Sequence, residues 1–305
     1  MVKRTTQKIV SLKEQMEMSG GIPFIKMHGL GNCYIYIDLV SEAIDLPDLA
    51  TLARKVSNPY TGIGSDGLIL IDKSEAAELK MRIFNKDGSE GKNCGNGLRC
   101  VAKYAYEKGL VKEKTFHIET LGGIVRAEVH TEGEKAERIT IDMGEPILQR
   151  ERIPMAGPAG QCAINEKVEI DGKKYNITGI SMGNPHVIFF VDHMDEAPIK
   201  TLGPRLADGD HPLFPEGVNV GFVEIVNDKE MIYRVWERGS GMTQACGTGA
   251  TAAAVAAILN EKARHDTPIT VHLDGGDLSI NWQEKTGHAF MTGPAETICK
   301  GKYYL

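Results

Sequence analysis

The chain has 305 residues, of which 42% are hydrophobic and 25% charged, a composition typical of a folded protein with one large or two medium domains. Its formal net charge of −6 comes without long runs of like charge, so neither nucleic acid nor an anionic membrane surface is an expected partner. No stretch approaches the roughly 18 consecutive apolar residues that a membrane-spanning helix needs.

Residues 1–21 are predicted to form an N-terminal extension, to which the sequence assigns no role. They begin with basic residues but contain neither an apolar h-region nor a small-residue cleavage site, so a secretory signal is not expected. We therefore predict a cytoplasmic protein whose six cysteines are reduced. No CxxC pair or Cys/His cluster has the spacing of zinc ligands, so no metal is expected.

The next part of the chain, up to about residue 146, is mostly predicted strand with two helices. A small helix is predicted over residues 47–57. A longer one is predicted over residues 95–108, where Leu98, Val101 and Ala105 share one face and charged residues such as Arg99 and Lys103 another. Short β-branched or aromatic runs bounded by Gly, Asp or Asn predict strands at 34–40, 67–72, 81–85, 116–120, 124–130 and 138–143.

The second half of the chain repeats the first. A shift of 152 residues lays residues 81–97 over 233–249 without gaps, with Cys94 on Cys246, and it also lays Gly31-Asn32 on Gly183-Asn184. So long a shared register indicates an internal duplication, roughly 24–146 and 177–300, with a loop or linker around residues 154–161. Predicted strands of this half are 186–192, 219–226, 232–237, 269–273 and 278–282, and an Ala-rich helix over 247–260 is expected to be largely enclosed.

These elements predict an α+β fold of two pseudo-symmetric domains. Each domain is expected to be a curved, mainly antiparallel β-sheet or barrel around a central helix. The cleft between the domains is then the expected place for an active site, because the two cysteine motifs occupy equivalent positions.

Each of the two equivalent cysteines precedes a predicted helix. The first N–H groups of a helix lack intrahelical partners, and its dipole places partial positive charge there, so a thiolate at that end is stabilised. We therefore expect the thiol pKa of Cys94 and Cys246 to fall from about 8.5 towards neutrality.

Two thiols on opposite sides of one cleft suggest proton chemistry on two faces of one carbon. Inversion of a stereocentre requires removal of a proton from one face and delivery of one to the other, which a thiolate and a thiol can supply. We expect the backbone N–H groups beside the cysteines to hold the developing charge or a substrate carboxylate. Those N–H groups belong to Gly95, Asn96, Gly247 and Thr248.

Several motifs resemble the signature set of the diaminopimelate epimerase family. They are KMHGLGN from Lys26, NKDGSE from Asn85, CGNGLRC from Cys94, GNPH from Gly183, GVNVGF from Gly217 and ERGSGMTQACGTGA from Glu237. The resemblance covers nearly all of residues 23–305. It implies an isomerase that converts LL-2,6-diaminopimelate to the meso form in lysine and peptidoglycan-precursor synthesis, without pyridoxal phosphate, another cofactor or a metal.

The resemblance also implies roles for individual residues. Cys94 and Cys246 are the implied acid-base pair, and His186 and Glu237 are implied to tune it. Arg238 can hold a distal carboxylate bidentately, and Glu237 can accept from an ammonium group. The implied substrate contacts are Asn32, Asn85, Asn184, Asn219, Glu237 and Arg238. Under the duplication Glu237 lies opposite Asn85, which suggests that the second half carries more of the charge recognition.

The implied domain division does not follow the sequence repeat. The last strand of the family fold returns to the first domain, which gives residues 22–138 plus 292–305 as one domain and 139–291 as the other. A homodimer is one of the assemblies left open. Cys33 stands where many family members have Asp, and it adds a third thiol near the cleft.

Two other functions remain alternatives. Proline or hydroxyproline racemases also use two cysteines, but their first motif commonly has a histidine where this chain has Asn96. A binding module whose cysteines merely pack or sense redox state would have unreactive thiols and no exchange at a substrate Cα. Asparagines next to glycine also occur simply as turn residues.

Overall fold

The computed structural model describes residues 20–42, 44 and 46–304. Residues 1–19 of the predicted extension lie outside the described residues. Within the described ranges, no helix combines the length and the apolar character needed to cross a membrane.

Within residues 20–146, as far as the structure describes them, the first half of the fold contains eight strands and two helices. Helix α1 is Leu49–Ser57 and helix α2 is Gly95–Glu107. The strands are β1 Ile22–Gly29, β2 Asn32–Asp38, β3 Gly67–Asp72, β4 Leu79–Asn85, β5 Glu90–Gly91, β6 Thr115–Thr120, β7 Gly123–Glu132 and β8 Lys135–Asp142.

The second half repeats this arrangement within residues 173–293, and two further strands, Glu166–Ile170 and Glu296–Tyr303, precede and follow it in the chain. Helix α3 is Ile199–Ala207 and helix α4 is Gly247–Leu259. The strands are β9 Glu166–Ile170, β10 Lys173–Ser181, β11 Pro185–Val191, β12 Asn219–Asn227, β13 Glu230–Glu237, β14 Gly241–Met242, β15 Ile269–Leu273, β16 Gly276–Trp282, β17 Ala289–Gly293 and β18 Glu296–Tyr303. Two 3-10 turns lie at Arg150–Arg152 and Met194–Glu196.

All the longer strands belong to one curved sheet that runs through both halves. The order is β18-β1-β2-β3-β4-β6-β7-β8-β17-β16-β15-β13-β12-β11-β10-β9, with β5 on β4 and β14 on β13. The parallel pairs β2–β3 and β4–β6 recur as β11–β12 and β13–β15. The predicted duplication and fold class are therefore confirmed.

The two halves join where β8 pairs with β17. In that pairing Thr140 lies opposite Thr292, its own equivalent under the 152-residue shift, and the two hydroxyls hydrogen-bond at 2.7 Å. The pseudo-twofold axis that relates the halves therefore passes through this threonine pair. A single buried apolar cluster contains residues of both α2 and α4, so the two central helices share one core.

The outer helices pack on the other face of each half. Helix α1 begins at the cap Asp48, whose carboxylate accepts from the Thr51 backbone N–H at 2.8 Å. Helix α1 contributes to one separate apolar cluster and α3 to another. The sequence did not predict α3, because Gly203 and Pro204 lie inside it and both disfavour helix.

The polar face predicted for α2 is not exposed. Arg99 and Lys103 are both buried. Arg99 Nε donates to Pro294 O at 3.0 Å, and Lys103 Nζ donates to Glu107 Oε1 at 2.8 Å and to Ala136 O. Strand β8 and the β17–β18 connection cover this face. The amphipathic pattern of α2 therefore distinguishes a buried apolar face from a buried polar face, and not a buried face from a solvent-exposed one.

Strand β18 pairs with β1 at the edge that corresponds to the edge held by β9 in the second half. This pairing supports the assignment of residues 292–305 to the first domain. The division at residues 138 and 292 stays a prediction.

Candidate active site

The two equivalent cysteines occupy the same position at the starts of α2 and α4. Cys94 and Cys246 are the N-cap residues, with extended φ, ψ values of −153°, 110° and −123°, 107°. The two side chains therefore start from the same backbone conformation. Each sulfur lies beside the N–H groups of the first helical turn, which have no intrahelical partner.

The contacts of the two sulfur atoms differ. Cys94 Sγ accepts a hydrogen bond from the Gly97 N–H at 3.4 Å and lies 3.9 Å from Asn32 Oδ1. Cys246 Sγ lies 3.4 Å from Thr248 Oγ1. Cys94 thus caps its helix with sulfur, whereas the nearest polar partner of Cys246 is a hydroxyl.

The starts of the two helices meet at Met291, on the strand that joins the halves. A methyl group built on Gly95 would lie 2.8 Å from Met291 Cε, and one built on Gly247 would lie 2.8 Å from Met291 Sδ. Asn96 Nδ2 lies within 3.4 Å of Ala245 O, directly before the second cysteine. Gly95 and Gly247, each directly after one of the cysteines, therefore both pack against the Met291 side chain.

Burial raises the pKa of both thiols, so the expected fall towards neutrality is wrong for this structure. For Cys94, desolvation outweighs the Gly97 N–H, the Tyr34 hydroxyl and the Arg99 guanidinium, which lower the pKa. For Cys246, desolvation and the Glu237 carboxylate raise the pKa well above its usual value. The favourable end of a helix does not compensate for the loss of water around a buried thiolate.

Glu237 and His186 both lie beside Cys246. Thr243 Oγ1 donates to Glu237 Oε1 at 2.5 Å, and burial raises the pKa of this carboxyl. His186 Nε2 lies 3.1 Å from Thr248 Oγ1, the same hydroxyl that contacts the Cys246 sulfur. Burial lowers the pKa of His186 to about 3, so the ring is neutral near pH 7.

Two of the predicted substrate contacts, Asn32 and Asn184, lie one in each half, at the equivalent first turn. Leu30 and Gly31 form the turn between β1 and β2, both with positive φ, and Asn32 begins β2. Asn32 Oδ1 accepts from Asn96 Nδ2 at 3.2 Å. Asn184 Oδ1 lies 3.1 Å from His186 Nε2. Asn32 thus contacts the cysteine motif of its own half directly, whereas Asn184 contacts His186, whose ring reaches Thr248.

The other predicted contacts are held mainly by backbone. Asn219 is buried; its Oδ1 accepts from the Arg238 N–H at 2.9 Å and its Nδ2 donates to Pro185 O at 3.0 Å. The Arg238 guanidinium donates to Glu216 O at 2.8 Å. Asn85 Nδ2 donates to Ser89 Oγ at 3.1 Å within its own turn. These contacts do not test the predicted substrate roles, which stay predictions.

Sequence reasoning missed several residues around the cysteines. Tyr34 faces Cys94 and is the equivalent of His186 under the 152-residue shift, so the duplication could have identified it. Asp66 accepts from the Asn32 amide. Met291 and Thr243 carried no motif that singled them out. In the part of the chain that the structure describes, no group of three or more His, Cys, Asp and Glu residues is placed to hold a metal ion.

Comparison with known proteins identifies relatives over nearly the whole chain. The family model described as Diaminopimelate epimerase matches residues 24–149 and 178–298, close to the two copies of the duplication. The diaminopimelate epimerase of Geobacillus thermodenitrificans is 59% identical over 281 residues, which is 92% of this chain and 96% of the relative. That of Bacillus subtilis is 56% identical over 282 residues, 92% of this chain and 98% of the relative.

Solved structures with low sequence identity share the fold. A probable proline racemase from Agrobacterium radiobacter has a TM-score of 0.67 at 16% identity and covers 93% of both chains. A phenazine biosynthesis protein of the PhzF family from Bacillus anthracis has the same TM-score and identity, with 93% of this chain and 99% of that one covered. These two similarities show the fold alone.

Proposed function

Because this chain belongs to the diaminopimelate epimerase family, we propose that it interconverts LL- and meso-2,6-diaminopimelate with Cys94 and Cys246 as the acid-base pair. The observation that carries this proposal is the meeting of two equivalent cysteine-capped helices at Met291. No other pair of cysteines in the described residues occupies equivalent helix starts.

The proposed reaction divides the proton transfers between the two thiols. One thiolate removes the proton from Cα on one face, and the opposite thiol delivers its proton to the other face, so the configuration inverts. The sulfurs exchange protonation states in each turnover. In the reverse direction their roles exchange.

The raised thiol pKa values suit this chemistry. A Cα–H is a weak acid, and a thiolate with a raised pKa is a stronger base than an ordinary one, so fewer thiolates form but each abstracts more readily. Cys94 has donors that lower its pKa, whereas Glu237 raises that of Cys246. Cys94 is therefore the thiol that ionises first, with Cys246 as the first acid.

Recognition is proposed to divide between helix starts and polar side chains. The carboxylate of the reacting centre binds the free N–H groups at the two helix starts. These groups belong to Gly95, Asn96, Gly247 and Thr248. His186 and Glu237 tune the thiols. Arg238, Glu237 and the four asparagines Asn32, Asn85, Asn184 and Asn219 hold the amino and carboxylate groups, including those of the distal end.

We further propose that the reaction takes place in the cytoplasm, in lysine and peptidoglycan-precursor synthesis, and uses no cofactor. We also propose that the reacting carbon lies between two domains, with the division at residues 138 and 292. These statements rest on the family to which the chain belongs.

The decisive assay is epimerisation of LL-diaminopimelate with no added cofactor, in the presence of a chelator and a reductant. The proposal predicts formation of the meso form and no racemisation of proline. Conversion of proline but not of diaminopimelate would favour a proline racemase. Substrate incubated in heavy water should gain deuterium at one Cα only; labelling at both would show that the distal end is not discriminated.

A further inference from the structure

Asp66, in the loop before β3, is held in place from both sides by Cys33. The Asp66 backbone N–H donates to Cys33 O at 2.8 Å, and the Cys33 backbone N–H donates to Asp66 Oδ2 at 2.8 Å. The Lys86 backbone N–H also donates to Asp66 O, at 3.0 Å. The loop backbone therefore fixes the position of this carboxylate relative to the start of β2.

The same carboxylate oxygen receives the Asn32 side chain. Asn32 Nδ2 donates to Asp66 Oδ2 at 2.8 Å. An ionised carboxylate only accepts hydrogen bonds, so the NH₂ group of Asn32 has to face Asp66. The carbonyl oxygen of that amide then points the other way, where it lies 3.9 Å from Cys94 Sγ and 3.2 Å from Asn96 Nδ2.

We propose that Asp66 is a positioning residue for the reacting thiol: it orients the Asn32 amide so that a carbonyl oxygen, and not an NH₂ group, faces Cys94. This inference deepens the proposed function and rests on it. When Cys94 carries the proton, its S–H donates towards that oxygen. When Cys94 is a thiolate, the Gly97 N–H and the Tyr34 hydroxyl remain as its donors.

The orientation extends across the site to the second half. Because Asn96 gives its NH₂ group to Asn32 Oδ1 and to Ala245 O, its own carbonyl oxygen is turned towards the start of α4. That oxygen is buried without a hydrogen-bond partner among the described residues, and a methyl group built on Gly247 would lie 3.5 Å from it. A flipped Asn32 would place two NH₂ groups against each other.

The second half fixes its equivalent asparagine in the opposite sense. Val218 is the equivalent of Asp66, so no carboxylate faces Asn184 from that loop. Instead the neutral His186 ring lies 3.1 Å from Asn184 Oδ1, a contact that requires the proton on Nε2. The acceptor of Asn184 is thereby occupied, whereas the acceptor of Asn32 is turned towards its thiol. Two different residues, Asp66 and His186, therefore orient the two equivalent asparagines in the two halves of the site.

The test compares three substitutions of Asp66. Asp66→Asn retains a carbonyl oxygen that can accept from Asn32 and from the Cys33 N–H but loses the charge. Asp66→Ala loses the acceptor. Asp66→Val also loses it and carries the side chain that the equivalent loop accommodates as Val218, so it keeps the test open should the alanine variant fail to fold. Val218→Ala is the matched control for loss of side-chain volume in the second half.

We expect Asp66→Ala and Asp66→Val to lower kcat about 10- to 100-fold in both directions, the range of a lost hydrogen bond to a charged group, with KM changed by less than about threefold. Asp66→Asn should recover most of that loss, to within about fivefold of the parent. Val218→Ala should lower the melting temperature and leave kcat within about twofold.

A second readout separates orientation from mere loss of charge. The rate of Cys94 alkylation by iodoacetamide is followed against pH in a Cys33→Ala background. The titratable groups that interact with Cys94 are Tyr34, Tyr36, Arg99 and Cys100, and Asp66 interacts with Tyr34. A freed Asn32 amide can turn its NH₂ group to the thiolate, so the alkylation profile of Asp66→Ala should shift to lower pH by more than that of Asp66→Asn.

Equal kcat losses for Asp66→Ala and Asp66→Asn, or parental kcat in Asp66→Ala, would overturn the inference. So would identical alkylation profiles in the two variants. If the parent protein fails to epimerise diaminopimelate, the proposed function fails, but the alkylation profiles still decide whether Asp66 orients Asn32 against Cys94.

Discussion

Acidification should destabilise this protein through His186, a buried histidine that stays neutral in the fold. Its Nε2 contacts Asn184 and Thr248, its Nδ1 has no hydrogen-bond partner among the described residues, and it faces the cationic Arg238. Burial and Arg238 lower its pKa from 6.5 to about 3. Protonation would add a proton at Nδ1, where the described part of the chain offers no hydrogen-bond acceptor and burial excludes the water that would stabilise the positive charge.

The sign and size of the effect follow from linkage. The unfolded chain binds a proton at His186 below pH 6.5, whereas the folded chain does so only near pH 3. The free energy of unfolding is therefore unaffected by titration of this group above pH 6.5. Below that pH it decreases as the pH falls, by up to about 1.4 kcal/mol per pH unit. Between about pH 7.5 and pH 4.5 the loss amounts to about 2.5 kcal/mol.

Urea denaturation of the parent and of His186→Gln across this range measures the effect. The difference between the two free energies of unfolding cancels the titration of carboxylates elsewhere in the chain. We expect the parent to lose about 2.5 kcal/mol more than the variant over these three pH units. Parallel curves would refute the claim that a neutral, desolvated His186 is part of the fold.

Three further outcomes are expected. Met291→Ala should lower the free energy of unfolding by about 2 to 5 kcal/mol and also lower kcat, because it opens a cavity where the two helix starts meet; unchanged kcat in urea-stable protein would argue against this contact. Since burial raises the pKa of Cys94, kcat/KM should increase with pH beyond neutrality and decrease only where Cys246 loses its proton; a profile flat from pH 6 to 9 would contradict this. Arg99→Met should slow Cys94 alkylation, because the guanidinium lowers the thiol pKa, without loss of melting temperature.

The sequence was sufficient to predict the duplication and the positions of the two cysteines. A glycine-rich turn before a helix is a local pattern, and its recurrence 152 residues later fixed the equivalence of Cys94 and Cys246. Most strands were predicted for the same reason, since alternating or β-branched runs report on local structure. Helix α3 was missed because its Gly203 and Pro204 carry the opposite signal.

Properties that depend on distant packing could not be predicted. Helical spacing shows that Arg99 and Lys103 share a face, but not that other elements cover that face. The direction of the thiol pKa shifts was wrong because a helix start is visible in the sequence, whereas the loss of water around it is not. Nothing in the sequence distinguishes Asp66 from other loop aspartates, because its contact with Asn32 joins residues that are far apart in the chain.

Single-thiol variants test whether two sulfurs act on opposite faces of one carbon. Cys94→Ala and Cys246→Ala should each keep the parental circular dichroism spectrum and lose diaminopimelate epimerisation by about 100- to 10,000-fold, because inversion needs both an acid and a base. If either variant retains epimerisation within about tenfold of the parent, the two-thiol mechanism is contradicted.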